Sequence, residues 1–298
     1  MDYNKVSKEE LIKLLSDKDA EVSAYEAEIK KLEHDLVKVN KKLQEADSLK
    51  SHFVSNISNE IVNPFTSVLA LADNILKVDK ESWKSVISMV ALIHSEVFHL
   101  DFQLKNIFAA AKLEAGEITP EISTIEIDSL IKNVIESFKY DARHKGLQVI
   151  YQTENKAGVE KVFFKSDSEK ITLIISNLLS NAIKFSFNNN KIILRAVKSI
   201  DKLMIEVQDF GVGISHENEN IIFDRFKRAD SGINSINRGH GLGLSVNKAM
   251  LDILDGTISF TSKLNEGATF IVNIPESKGD STGISRDAGE IFFKEEKF

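Results

Sequence analysis

The sequence predicts an α + α/β chain: a coiled coil, then a helical hairpin that pairs with a second copy as a four-helix bundle, then an α/β sandwich. Three observations carry this expectation. A heptad seam opens the chain, helical spacing continues through two long apolar stripes, and from about residue 122 short β runs alternate with helices. The expected boundaries are 1–50 for the coil, 51–118 for the hairpin, 122–275 for the sandwich and 276–298 for a flexible tail.

The coil rests on Val22, Tyr25, Ile29, Leu32, Leu36, Val39, Leu43 and Ala46, which alternate spacings of three and four with Lys and Glu between them. An average period of 3.5 is that of a coiled-coil seam; a lone amphipathic helix would drift toward 3.6. The helix is expected to run on through Phe53, Ile57 and Ile61, to kink at Pro64, and to end near Asp79–Ser82. A second helix is predicted from Trp83 to about Glu114, with Val86, Met89, Val90, Ile93, Val97, Leu100, Leu104 and Phe108 near one stripe. Ala115-Gly116, with Pro120 beyond, is its stop. Two helices joined by a short turn cannot cover both stripes alone, and a dimeric bundle solves that.

In the sandwich the strand candidates are Thr124–Ile127, Gln148–Gln152, Val162–Phe164, Lys191–Val197, Leu203–Val207, Thr257–Thr261 and Ala268–Ile274. The helix candidates are Ser129–Ala142, Asp167–Lys184 and Leu242–Leu254. The tail ends in Ile291-Phe292-Phe293 and Phe298 among charges, as a frayed terminus or a docking peptide.

Bulk properties narrow the function. With 298 residues, 42% hydrophobic and 28% charged, the chain has the composition of a soluble two-domain protein. A net charge of -7 excludes nucleic acid as the main partner, because phosphate binding requires a basic face. There is no Cys, hence no disulfide framework. No uninterrupted apolar run approaches the ~18 residues of a membrane span, and no signal-peptide pattern opens the chain, so a cytoplasmic protein is expected.

Four polar clusters follow one another in the sandwich. Asn177, Asn181 and Lys184 recur at i, i+4 and i+7, bringing two carboxamides and an ammonium to one helix face, suited to Mg²⁺ and a polyphosphate. Asp209-Phe210-Gly211-Val212-Gly213 follows a strand; its carboxylate can accept a hydrogen bond from an exocyclic amine, and its glycines allow close approach to a flat base. Ile222-Phe223-Asp224-Arg225-Phe226 precedes a Ser/Asn/Gly-rich loop, Asp230 to Asn237, expected to act as a lid. Arg238-Gly239-His240-Gly241-Leu242-Gly243-Leu244 then opens a helix, where free backbone N–H groups suit phosphate.

In that order these clusters resemble the N, G1, F and G2 boxes of the GHKL (Bergerat) ATP-binding fold, shared by histidine kinases, gyrase-type ATPases, Hsp90 and mismatch-repair ATPases. His240 stands where that family usually has Thr. The resemblance implies ATP and Mg²⁺ as cofactors. Asn181 with Asn177 would hold the metal, Lys184 would contact phosphate and Asp209 would read adenine. Gly241 and Gly243 would cradle the phosphates, with Gly211, Gly213, Arg238 and Leu244 completing the nucleotide site. Lys50-Ser51-His52-Phe53, Ser58-x-Glu60 and Pro64, with the ending Ala110–Gly116, resemble the dimerisation and phosphoacceptor hairpin of sensor histidine kinases. The match covers about residues 50–275.

One residue departs decisively. Between Ser58 and Glu60, where the family carries its phosphoacceptor histidine, stands Asn59. An imidazole nitrogen has a lone pair free to attack phosphorus; a carboxamide nitrogen has its lone pair tied up in resonance. Glu60 and Asn63 keep the positions of the general base and of the residue that orients water for dephosphorylating a response regulator. Val62 and Phe65 replace the usual Arg and Leu. His52, about 10 Å away by helix rise, has no adjacent carboxylate of the Asn59–Glu60 kind. The resemblance therefore implies a two-component signalling protein that partners a receiver domain, as a homodimer or as a heterodimer with another histidine kinase. The alternatives are an active kinase, through another acceptor, through trans-phosphorylation of a partner or with Asn59 an engineered change, and a heterodimerising scaffold with a vestigial ATP site.

Overall fold

A computed structural model describes residues 7–79, 82–153, 162–224, 241–278 and 284–285, with side chains left aside at 10–11, 20, 42–43, 45–60 and 284–285. The chain divides into two compact units, residues 1–55 and 56–298.

Helix α1 spans Lys8–Leu76. Its early part carries the heptad seam, and Val22, Tyr25, Ile29, Leu32, Leu36 and Val39 are each more than half exposed on the single chain. The helix continues through Pro64. Helix α2, Trp83–Ala115, ends at Gly116 in the left-handed region (φ 68°). Glu117 N–H reaches back to Lys112 O at 3.0 Å, the hydrogen-bond pattern that closes a helix on a C-terminal glycine. Among the described residues α2 is the helix long and apolar enough, by length and composition, to cross a membrane. Here it buries Phe98, Leu100, Phe102 and Asn106, and two of these rings pack on the domain that follows.

That domain has two sheets. Strands β1 (Ile122–Glu126) and β3 (Phe163–Asp167) pair antiparallel. The larger sheet joins β2 (Gln148–Thr153), β4 (Lys191–Lys198), β5 (Lys202–Gln208), β6 (Thr257–Lys263) and β7 (Gly267–Pro275) in the order β2-β4-β5-β7-β6. Only the β2–β4 pair in it is parallel. Helices α3 (Ile127–Ser137), α5 (Ser168–Phe185) and α6 (Gly243–Ile253) form the second layer. The core lies between: Ile171, Ile174, Ile175 and Leu179 of α5 and Ile192, Leu194, Leu203, Ile205, Val272 and Ile274 of the sheet have no exposed surface.

The expected helix Ser129–Ala142 is two. It stops at Phe138, and α4 (Lys139–His144) resumes in a new direction of chain. The cause is tertiary: the Phe138 ring is buried edge-on against Phe98 (5.1 Å between centroids) and Phe102 (5.6 Å) of α2, a geometry that aromatic quadrupoles favour. His99 Nε2 and Asp141 Oδ1, 3.0 Å apart, add a polar contact beside them. Helix α5 starts where the sequence placed it. Asp167 caps it, accepting from Lys170 N–H at 3.0 Å, and also accepts from Glu121 N–H at 2.8 Å. In the tail, Ile284–Ser285 forms a two-residue strand, β8, parallel to β1; the rest of the tail after 285 lies outside the described residues.

Candidate functional site

The site gathers where α5 ends, β5 ends and α6 begins. Asp209 follows β5 and is 6% exposed. One carboxylate oxygen, Oδ1, is buried without a hydrogen-bond partner. Burial pushes its carboxyl up to about 6, opposed by the backbone N–H groups of Ala268 and Gly211 and by the Lys145 ammonium. An open cleft of about 260 Å³ lies beside it, lined by Ser262, Gly267 and Thr269 among others. A buried acceptor without a donor, on a residue that lines a cleft, is set up to take a donor from a ligand.

Gly211 explains why the turn after β5 carries glycine. A Cβ there would stand 1.9 Å from Phe185 O, at the end of α5, where Val212 N–H donates to the same carbonyl at 3.1 Å. The turn thereby presses against the α5 C-terminus. Gly213, two residues on, has φ 68°. Lys145 braces the same corner: its ammonium donates to Ile183 O (2.9 Å), Lys184 O (2.6 Å) and Ser186 O (2.9 Å). An ammonium on the last carbonyls of a helix offsets the negative end of its dipole. Burial pushes the Lys145 amine down, and Asp209 partly restores it.

The residues predicted on one face of α5 fare differently. Asn181 and Lys184 are half-buried at the site side, and Lys184 Nζ lies 5.0 Å from the Phe185 ring centre. Asn177 is 3% exposed and points inward, its Nδ2 donating to Asn106 Oδ1 (2.8 Å), Asn247 Oδ1 (2.8 Å) and Gly243 O (3.3 Å). The Asn177 amide nitrogen is thus engaged within the protein. Gly241 has φ 68°, and Gly243 and Leu244 form the first turn of α6. Arg238 lies outside the described residues, as do His240, the whole of the expected lid 230–237 and residues 225–226 of the 222–226 cluster. Phe223 of that cluster is anchored to the sheet through Phe260, 6.0 Å away, which stacks on Phe270.

On α1, Asn59 and Glu60 belong to the helix but their side chains are not described; Asn63 is exposed one turn later, with Val62 and Phe65 also exposed. Sequence reasoning missed Lys145 and Thr269. The Gly267-Ala268-Thr269 run opening β7 was the available signal for Thr269; its Cα pairs with Gln208, next to Asp209. Nothing local marks Lys145.

Residues 166–278 match the family described as histidine kinase-, DNA gyrase B-, and HSP90-like ATPase. The chain is 30% identical over 251 residues to the signal transduction histidine-protein kinase BarA of Escherichia coli (strain K12), covering 83% of this chain and 27% of BarA. It is 27% identical over 241 residues to the circadian input-output histidine kinase CikA of Synechococcus elongatus, covering 78% of this chain and 31% of CikA. The chain therefore spans about a third or less of the length of these relatives. The structure of full-length ShkA in complex with AMPPNP shares the fold, with a TM-score of 0.52 at 20% identity, over 78% of this chain and 47% of that one. The chain belongs to the histidine kinase family, with an ATPase-type domain of the GHKL fold.

Proposed function

We propose that the chain is a dimeric, cytoplasmic two-component signalling protein that binds ATP-Mg²⁺, does not phosphorylate itself at Asn59, and acts on the receiver domain of a response regulator by binding or dephosphorylation. The observation that carries the nucleotide half is the unpartnered, buried Asp209 oxygen at the cleft. Its need for a donor fits the exocyclic amine of adenine, and the glycine turn pressed on Phe185 leaves the base room to approach. The first turn of α6, at Gly243 and Leu244, offers backbone N–H groups to phosphate, with Gly241 before it and Arg238 and Lys184 as cations. Asn181 remains the carboxamide oxygen suited to Mg²⁺, and Asn177 acts behind it as a brace. The bound nucleotide would supply a phosphoryl group or, without transfer, the energy that selects one conformation.

The sequence carries the second half. Asn59 has no nucleophilic lone pair, whereas Asn63, exposed on the same helix, has the amide that aligning a water requires. The exposed heptad seam of α1 is the surface a second chain would cover, a copy of this one or another histidine kinase. Cytoplasmic residence follows from the need for ATP and for a receiver domain.

Titration calorimetry on the whole chain tests the reading. ATP-Mg²⁺ binding is expected, lost in Asp209→Asn because an amide mixes donor and acceptor where the adenine amine needs an acceptor. Incubation with labelled ATP should leave no acid-labile phosphate on the protein. The relatives' designation as kinases favours a second reading, an active kinase with another acceptor; label that vanishes in His52→Ala would establish it.

A further inference from the structure

We propose that Asn106, a residue of the hairpin, is a positioning residue of the nucleotide site: through Asn177 it fixes the start of α6, so that hairpin docking and ATP affinity are linked. The inference rests on the nucleotide reading above and adds a residue that neither the four boxes nor the phosphoacceptor pattern contains.

Three carboxamides from three helices meet in the interior. Asn106 (α2), Asn177 (α5) and Asn247 (α6) are 6%, 3% and 0% exposed. Asn177 Nδ2 bridges the other two, donating to both side-chain oxygens at 2.8 Å. The outer members are tied to backbone: Asn106 Nδ2 donates to Phe102 O at 3.0 Å and Asn247 Nδ2 to Ile174 O at 3.1 Å. A buried polar network in which each amide is engaged has one good geometry, because a shift of any helix strands a donor or acceptor away from water. Apolar side chains of similar size would tolerate several registers. The triad therefore specifies where α2 sits against α5 and α6.

The link to the phosphate end is Gly243, the first residue of α6. Its carbonyl lies 3.3 Å from Asn177 Nδ2 and shares one of the two N–H groups directed at Asn106 and Asn247. A Cβ on Gly243 would stand 3.2 Å from Asn177 Oδ1, so the backbone of the helix start lies directly on the Asn177 amide. Asn106 holds that amide from the opposite side. Docking is supported nearby by Phe98 and Phe102 on Phe138 and by the His99–Asp141 pair, which anchor α2 without touching the nucleotide site. Asn106 is the hydrogen-bonding residue of this docking surface that is connected, through Asn177, to Gly243 of α6. A residue that orders the phosphate-binding backbone before the ligand arrives raises affinity by preorganisation, and by reciprocity the nucleotide must then favour the docked hairpin.

The experiment uses the full chain with hydrogen–deuterium exchange and calorimetry, with and without ATP-Mg²⁺. In the wild type, ATP is expected to increase protection of α2 amides around 102–106 as well as those at the start of α6. Asn106→Leu should loosen the start of α6 without nucleotide, weaken ATP binding about tenfold, the worth of one buried hydrogen bond, and abolish the α2 response. Asn106→Asp should restore both, because a neutral carboxyl keeps the donor to Phe102 O and the acceptor for Asn177, and a carboxylate keeps the acceptor. A leucine variant that binds ATP and protects α2 like the wild type overturns the proposal, and so does an aspartate variant as impaired as the leucine one. A wild-type chain that binds no ATP at all overturns the nucleotide reading and this linkage with it. Binding with no α2 response overturns the linkage alone.

Discussion

Asp209→Asn should make the nucleotide-free protein more stable while ending its ability to bind ATP. The Asp209 carboxyl ionises near pH 6, against 3.8 for an ordinary one, and the first cause is burial. A group whose folded value is raised binds more protons in the folded state, so its contribution to stability declines as pH rises from about 4 to about 6. At ~1.36 kcal/mol for each tenfold change in the proton equilibrium, the ionised form carries about 3 kcal/mol of strain above pH 7. Asparagine, neutral throughout, does not carry it. For a domain of this size, 1 kcal/mol moves Tm by about 2–4 °C, so the variant should melt up to about 10 °C higher at pH 8, with the gap closing below pH 4. Circular dichroism melts without nucleotide at several pH values read this directly. Calorimetry on the same samples should show ATP binding lost. A variant that melts at or below wild type at pH 8 would refute the reasoning, since the Ala268, Gly211 and Lys145 interactions would then outweigh the cost of burial.

Three further outcomes follow from the packing. Lys145→Met should cost about 1–3 kcal/mol by stranding three carbonyls at the α5 C-terminus, read as a lower urea midpoint. Phe138→Ala should cost about 3–5 kcal/mol, because the ring is 1% exposed between Phe98 and Phe102; exchange should show α2 and α4 losing protection together. Asn63→Ala should lengthen the lifetime of a phosphorylated receiver domain incubated with the protein and ATP; unchanged lifetimes with intact receiver binding would leave sequestration as the mechanism.

What local sequence could encode was legible. The Asp167 cap, the left-handed Gly116 and the helical period of α5 are decided within one or two turns of chain. The ordered polar clusters were legible for the same reason: each is a short segment whose residue types suit one ligand part. Spacing alone gave Asn177, Asn181 and Lys184 a common face. Helix α5, however, is covered on nearly every side, and one face can be divided between a site and a core. Which carboxamide points outward is settled by partners 66 to 71 residues distant, Asn106, Gly243 and Asn247, and no local pattern contains them. The break at Phe138 is similar, since helical spacing continues through it and the rings that hold it belong to α2. Lys145 and the parallel β2–β4 pair complete the set: each depends on contacts between segments that come together only when the sandwich closes. The sequence by itself determined most of the elements, their order and the carboxamide at Asn59; burial in the assembled fold decided the strained Asp209, the inward Asn177 and the corner held by Lys145, because desolvation and long-range hydrogen bonding exist only there.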